Sequence, residues 1–195
     1  MTTINSWLET NPVIAAVRDV KLIEKAVRSP VKVIFLMTGD IFTINHCVET
    51  AQAREKIIFL HVDLIKGIAS DKEGVKYLAE KVKPDGIVST KSHLIQSAKK
   101  EGLLAVKHLF LLDSHAFETG IGNVLELNPD AIELMPGLMP RIIRETSKAV
   151  ACPVIAAGLI KSSKEAQEAL NAGAKAVAVG APELWTLNLT SNKKG

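Results

Sequence analysis

Aromatic side chains are scarce: five Phe, two Trp and one Tyr make up 4% of 195 residues. That scarcity argues against a platform of stacked aromatics for unpaired bases, and no RRM, KH or OB signature accompanies it. Cysteine is almost missing. Cys47 and Cys152 stand in apolar surroundings with no metal-ligand spacing and no CxxC motif, so both are expected as reduced thiols in a cytoplasmic protein. Long apolar runs are missing too. Val31–Met37, interrupted by Lys32, is far short of the roughly 20 residues that span a bilayer. Met1–Asn11 has no basic start followed by an apolar block, so no signal peptide is expected. Neither sign of charge dominates. The 24 Lys and Arg against 21 Asp and Glu leave a formal net charge of +3, which permits contact with nucleic acid without demanding it.

What the chain has is apolar residues, 47% of the total, too many for a disordered polymer. They fall into short β-branched runs: Val13–Val17, Val31–Met37, Lys56–Asp63, Gly86–Thr90, Leu104–Leu112, Ala131–Met135, Val154–Ala157 and Ala176–Val179. Near-continuous apolar runs are the pattern of parallel strands covered on both faces. The segments between them have helical spacing and start signals. Asp40, Ser92, Ser114 and Ser162 or Ser163 are candidate N-caps, the last pair followed by Glu165 and Gln167 as in a capping box. Gly173 in NAGA suits a helix C-terminus. Eight strand–helix units at roughly 24 residues each point to an α/β fold, a single (β/α)8 barrel spanning 1–195, with 188–195 expected to fray. A doubly wound open sheet uses the same units, but the count of eight and the lack of an early GxGxxG favour the barrel.

In such a barrel, function gathers where strand ends meet the following loops. Those ends carry Arg18–Asp19, Thr38–Asp40, His61–Lys66, Ser89–Lys91, Asp113–Ser114, Glu133–Gly137, Gly158 and Gly180–Ala181. Each residue also has a plain structural use: Asp40 and Ser114 can cap helices, and Arg18 can sit in solvent. The segment from Pro153 to Trp185, PVIAAGLIKSSKEAQEALNAGAKAVAVGAPELW, adds glycine turns after strands seven and eight and a short PELW helix. Barrels commonly bind phosphate there, and glycine allows close backbone approach. A bulky residue at Gly158 is therefore expected to block an anion without unfolding the chain. His61 and Asp63, two apart, are expected on one strand face. Lys66 and Lys91 offer ammonium groups to a phosphate or carboxylate, and Glu133 an acceptor for a hydroxyl. Asp63, Lys66, Lys91 and Glu133 could also serve proton-transfer or lyase chemistry. DLIK comes near the DxK arrangement of orotidine-phosphate-decarboxylase-like barrels, one residue too long. No metal site, nucleophile elbow or cofactor fingerprint is visible.

The blocks NPVIAAVRD, FLHVDLIKG, PDGIVSTKS, HLFLLDS, PDAIELMPG, PVIAAGLI and AGAKAVAVGAPELW, in this order, resemble the glycerol uptake operon antiterminator regulatory protein family from about Asn11 to Leu187. The resemblance implies a (β/α)8-like regulator rather than an enzyme. It implies binding of the leader messenger RNA of glycerol-utilisation operons, with glycerol 3-phosphate as effector and no cofactor. Its phosphate would lie on the Gly158 and Gly180–Ala181 loops and its glycerol end near Asp63 and Glu133, with Arg18, His61, Lys66 and Lys91 around it. Ala157–Gly158 stands where related sequences often have Gly-Gly, and Lys91 where an arginine is also common. For RNA, Arg141, Arg144 and Lys148 lie at i, i+3 and i+7 on one helix face, a pattern that also describes an ordinary solvated face. Lys99–Lys100 and Lys193–Lys194 add local charge, and a homo-oligomer would multiply a weak basic surface. The open alternatives are a barrel enzyme acting on a small phosphorylated metabolite and a metabolite sensor that signals through a protein partner.

Overall fold

The computed structural model describes residues 4–189. Eight parallel strands close into a barrel in sequential order: β1 (Val13–Val17), β2 (Val33–Leu36), β3 (Ile57–His61), β4 (Gly86–Ser89), β5 (Leu104–Phe110), β6 (Ala131–Met135), β7 (Val154–Ala157) and β8 (Ala176–Val179). All eight fall within the runs expected from sequence. Closure comes from β8 pairing with β1, Val13 against Val177 and Ala15 against Val179.

The helices are α1 (Ile4–Thr10), α2 (Ile23–Arg28), α3 (Ile44–Gln52), α4 (Lys72–Tyr77), α5 (Ser92–Lys100), α6 (Ser114–Leu127), α7 (Pro140–Ala149) and α8 (Ser163–Asn171). α1 precedes the first strand, and its Ile4 and Leu8 join the barrel's interior cluster. β8 is followed by a 3-10 turn, Pro182–Thr186, instead of a full helix. Its Trp185 is completely buried and donates its indole N–H to Val179 O at 2.8 Å, which satisfies the polar end of a large apolar side chain.

Caps follow local hydrogen bonding more closely than residue type. Ser162 and Glu165 form the full capping box of α8. Asp113, not Ser114, caps α6 by accepting from Ala116 N. Ser92 is the first residue of α5, whose N-cap position is Lys91 with no side-chain cap bond. Asp40 acts one turn ahead of α3, accepting from Phe42 N and Thr43 N, both at 3.0 Å. At α6 a neighbouring carboxylate takes the place expected of the serine, and at α5 the helix begins one residue earlier than expected. Asn188 and Leu189 have no regular structure, and the rest of the expected frayed tail, with Lys193 and Lys194, lies outside the described residues.

Side-chain alternation divides the core in two. One set, including Ile23, Leu60, Leu78, Ile95 and Trp185, fills the layer between strands and helices. The other, including Ile14, Phe35, Phe59, Val106 and Ile155, fills the barrel itself. Phe35 and Phe59 meet edge-to-face at 5.4 Å, a favoured aromatic geometry. Gly86 makes room for them, because a Cβ there would overlap the Phe59 ring and Leu104 O. Gly86→Ala is therefore expected to destabilise the protein by about 1–3 kcal/mol through overpacking, read as a lower urea midpoint at unchanged slope.

Candidate functional site

The upper interior, toward the strand C-termini, is filled unevenly. On the side of β7, β8 and β1 the residues are small: Ala16, Ala157, Ala178 and Gly180. A cavity of about 380 Å³ opens there, with Glu133 and Met135 also in its lining. Arg18 and Lys161 are the cations that border it, and Lys161 is not among the residues expected from sequence. Gly158 lies at φ +76°, and a Cβ on it would come 2.5 Å from Met135 Cγ. This corrects the expectation that Gly158 tolerates a bulky residue without cost to the fold, since a left-handed backbone and an occupied space both oppose it. Gly180 has neither problem. Its backbone is outside the left-handed region, and an added Cβ would meet chiefly the Arg18 stem, 3.1 Å away.

Of the nine expected ligand residues, Arg18, Glu133, Gly158, Gly180 and Ala181 line this one cavity. Asp63, Lys66 and Lys91 belong to the loops after β3 and β4, across the barrel. Asp63 is not on a strand face with His61 as expected. β3 ends at His61, and Asp63 lies in the 3-10 turn Val62–Leu64. The turn swings its carboxylate toward the β4 loop, where it accepts from Thr90 N at 2.8 Å, Thr90 Oγ1 at 3.0 Å and Ser89 Oγ at 3.1 Å. Burial pushes the Asp63 carboxyl up, but these bonds from Thr90 and Ser89 outweigh it and hold the group below the usual range. Lys91 Nζ is 3.8 Å from Asp63 Oδ1. Buried Lys107 donates its ammonium to Thr90 O, so the loop is braced from both sides. Lys66 is exposed, and its backbone N and O bond to Gly39 O and Ile41 N, both at 3.0 Å, tying the loops after β2 and β3 together.

Between the two sides lies a buried polar cluster. His108 Nδ1 is 2.5 Å from Glu133 Oε2, with side-chain exposures of 1% and 0%. The His61 and His108 rings are 5.3 Å apart, edge to face. His61 Nδ1 is 4.0 Å from Asp63 Oδ2. Burial pushes the His61 imidazole down, against the opposing pull of Glu133, which favours the neutral ring. His61, His108 and Glu133 each offer one ligand atom within 4.8 Å of the others. The period-two alternation from Val106 could have placed His108 inside the barrel, but the residue carries no motif of its own.

Arg141, Arg144 and Lys148 are exposed along α7 as expected, with Arg141 paired to Glu145 at 2.9 Å. The α7 approach is linked to the cavity by Gly137 N, which donates to Gly158 O at 3.2 Å. Among the described residues no helix is long and apolar enough to cross a membrane.

The family described as glycerol-3-phosphate responsive antiterminators matches residues 13–185, all eight strands included. This chain belongs to that family. It is 35% identical over 180 residues to the uncharacterized protein YgcP of Escherichia coli (strain K12), covering 92% of this chain and 94% of that one. The glycerol uptake operon antiterminator regulatory protein of Listeria monocytogenes str. 4b F2365 superimposes with TM-score 0.87 at 31% identity, over 91% of this chain and 96% of its own. A glycerol uptake operon antiterminator-related protein of Thermotoga maritima MSB8 gives TM-score 0.80 at 32% identity, over 90% and 98%.

Asp63→Ala leaves Thr90 N and its neighbours without their acceptor, and is expected to cost about 1–3 kcal/mol of stability. Urea unfolding of wild type and variant checks this.

Proposed function

We propose that this protein binds glycerol 3-phosphate in the cavity of β7, β8 and β1, and that occupancy controls its binding to the leader messenger RNA of a glycerol-utilisation operon in the cytoplasm. The observation that carries the reading is the cavity's lining, small and glycine-bearing on one wall, cationic at its border through Arg18 and Lys161, and acidic on its inner side at Glu133. A phosphate monoester with hydroxyls at its far end matches that polarity. Its dianionic group would lie against the Gly158 and Gly180–Ala181 loops near Arg18, where guanidinium can donate two parallel hydrogen bonds. Its hydroxyls would reach toward Glu133. His61 belongs to the buried cluster behind this contact, Asp63 lies beyond it, and Lys66 and Lys91 are on the opposite rim.

The protein acts in this reading as a sensor, without turnover. Asp63 is the obvious general base by residue type, yet its oxygens already accept from Ser89 and Thr90, and it is absent from the cavity lining. RNA would meet the basic face of Arg141, Arg144 and Lys148 on α7. The Gly137–Gly158 hydrogen bond gives ligand at the Gly158 turn a direct mechanical path to that helix. A ligand shifts such an equilibrium only by its differential affinity for the two states.

The deciding measurement is binding of labelled leader RNA with and without glycerol 3-phosphate, with product analysis of the same mixtures. The expected result is ligand-dependent affinity for leader over scrambled RNA and no product. Equal affinity for both RNAs in both conditions removes the RNA reading, and product from wild type removes the sensor reading. Gly180→Val should keep the fold and lower glycerol 3-phosphate affinity at least about tenfold, a difference of about 1.4 kcal/mol; calorimetric titration reads it. Replacing Arg144 and Lys148 by Ala should weaken leader binding and flatten its dependence on log salt by about 0.7–0.9 for each phosphate no longer neutralised.

A further inference from the structure

The cluster of His61, His108 and Glu133 is buried more deeply than the ligand cavity requires. Glu133 is fully buried and its side chain faces two imidazoles that are themselves 3–4% exposed. Among the described residues, both Glu133 oxygens, both His108 ring nitrogens and His61 Nδ1 are buried without a hydrogen-bond partner. His108 Nδ1 and Glu133 Oε2 face each other at 2.5 Å, which leaves His108 Nε2, Glu133 Oε1 and His61 Nδ1 with no partner of their own. Buried polar groups are almost always paired, and an unpaired set calls for a missing partner. A proton on His108 could serve one contact with Glu133, but it would leave His61 and the second carboxylate oxygen unserved.

We propose that His61, His108 and Glu133 are the three protein ligands of a divalent transition-metal site of the zinc or ferrous type. Two imidazoles and one carboxylate, one ligand atom from each within 4.8 Å of the others, are the donor set such borderline ions prefer. The ligands come from β3, β5 and β6, rigid elements that hold them in place. Asp63 Oδ2, 4.0 Å from His61 Nδ1, is a carboxylate just outside the site, beyond direct hydrogen-bond distance. It is itself fixed by Ser89 and Thr90. Glu133 also borders the cavity, although its own carboxylate is buried, so the cavity lies beside the site. The metal site and the proposed ligand site share Glu133, so metal uptake is measured without glycerol 3-phosphate and the two readings can fail separately.

The full-length chain, stripped with chelator, should take up one Co2+ per molecule in equilibrium dialysis, with a visible absorption band that Zn2+ abolishes by displacement. His108→Ala and Glu133→Gln should each lower Co2+ affinity by more than about tenfold, at or beyond the loss typical of outer-shell changes. His46→Ala, which removes an exposed histidine of α3, should leave it unchanged. If either cluster variant does not fold, by far-UV circular dichroism, His61→Gln takes its place. Absence of saturable Co2+ uptake by wild type overturns the proposal, as does undiminished uptake in folded cluster variants.

Discussion

Eight short strands can close only if the space inside them is filled, and the barrel fills it in two different ways. At the lower end Ile14, Phe35, Phe59, Val106 and Ile155 pack apolar side chains against each other, with α1 contributing Ile4 and Leu8 from below. Dispersion and burial carry this half. At the upper end the inward positions become His61, His108 and Glu133 on one side and Ala16, Ala178 and Gly180 on the other. The small residues leave a cavity. The polar ones are buried, and of them only Glu133 borders that cavity. Both the cavity and the buried cluster follow from this change of filling partway up one barrel.

The rim repeats the asymmetry. Loops after β2, β3 and β4 are cross-linked by backbone bonds between Gly39, Ile41 and Lys66 and by the Asp63 contacts to Ser89 and Thr90. The loops after β7 and β8 are shaped by Gly158 and Gly180, and the β6 loop touches them through Gly137. The consequence is a braced half that holds the cluster in place and a more open half that borders the cavity. In this member of the antiterminator family the end of the barrel at the strand C-termini carries a cavity and a bracing network, with Asp63 hydrogen-bonded by its own neighbours.

The polar groups also connect the halves. Glu133 lines the cavity, His108 touches Glu133, the His61 ring meets His108 edge to face, and Asp63 lies beyond His61. Rearrangement at any one of these buried groups must be accommodated by the next, because a close-packed interior has little slack.

How much was legible in the sequence divides along the range of the forces involved. The eight strands stand where continuous apolar runs fall, because burial on both faces of a parallel strand is a local demand on residue type. The Ser162–Glu165 capping box was equally readable, being a contact three residues long. The glycine turns of β7 and β8 marked the cavity side for the same reason, and family resemblance followed from those blocks. Three things were decided only by tertiary structure. Asp63 left the face of His61 because a 3-10 turn begins at Val62 and because its carboxylate is satisfied by residues 26 and 27 positions away. Asp113 displaced Ser114 as a cap through a carboxylate set at the right φ and ψ by the preceding loop. The His61, His108 and Glu133 cluster draws on three strands separated by long stretches of chain, so no spacing motif records it; only closure of the barrel brings those side chains to one point.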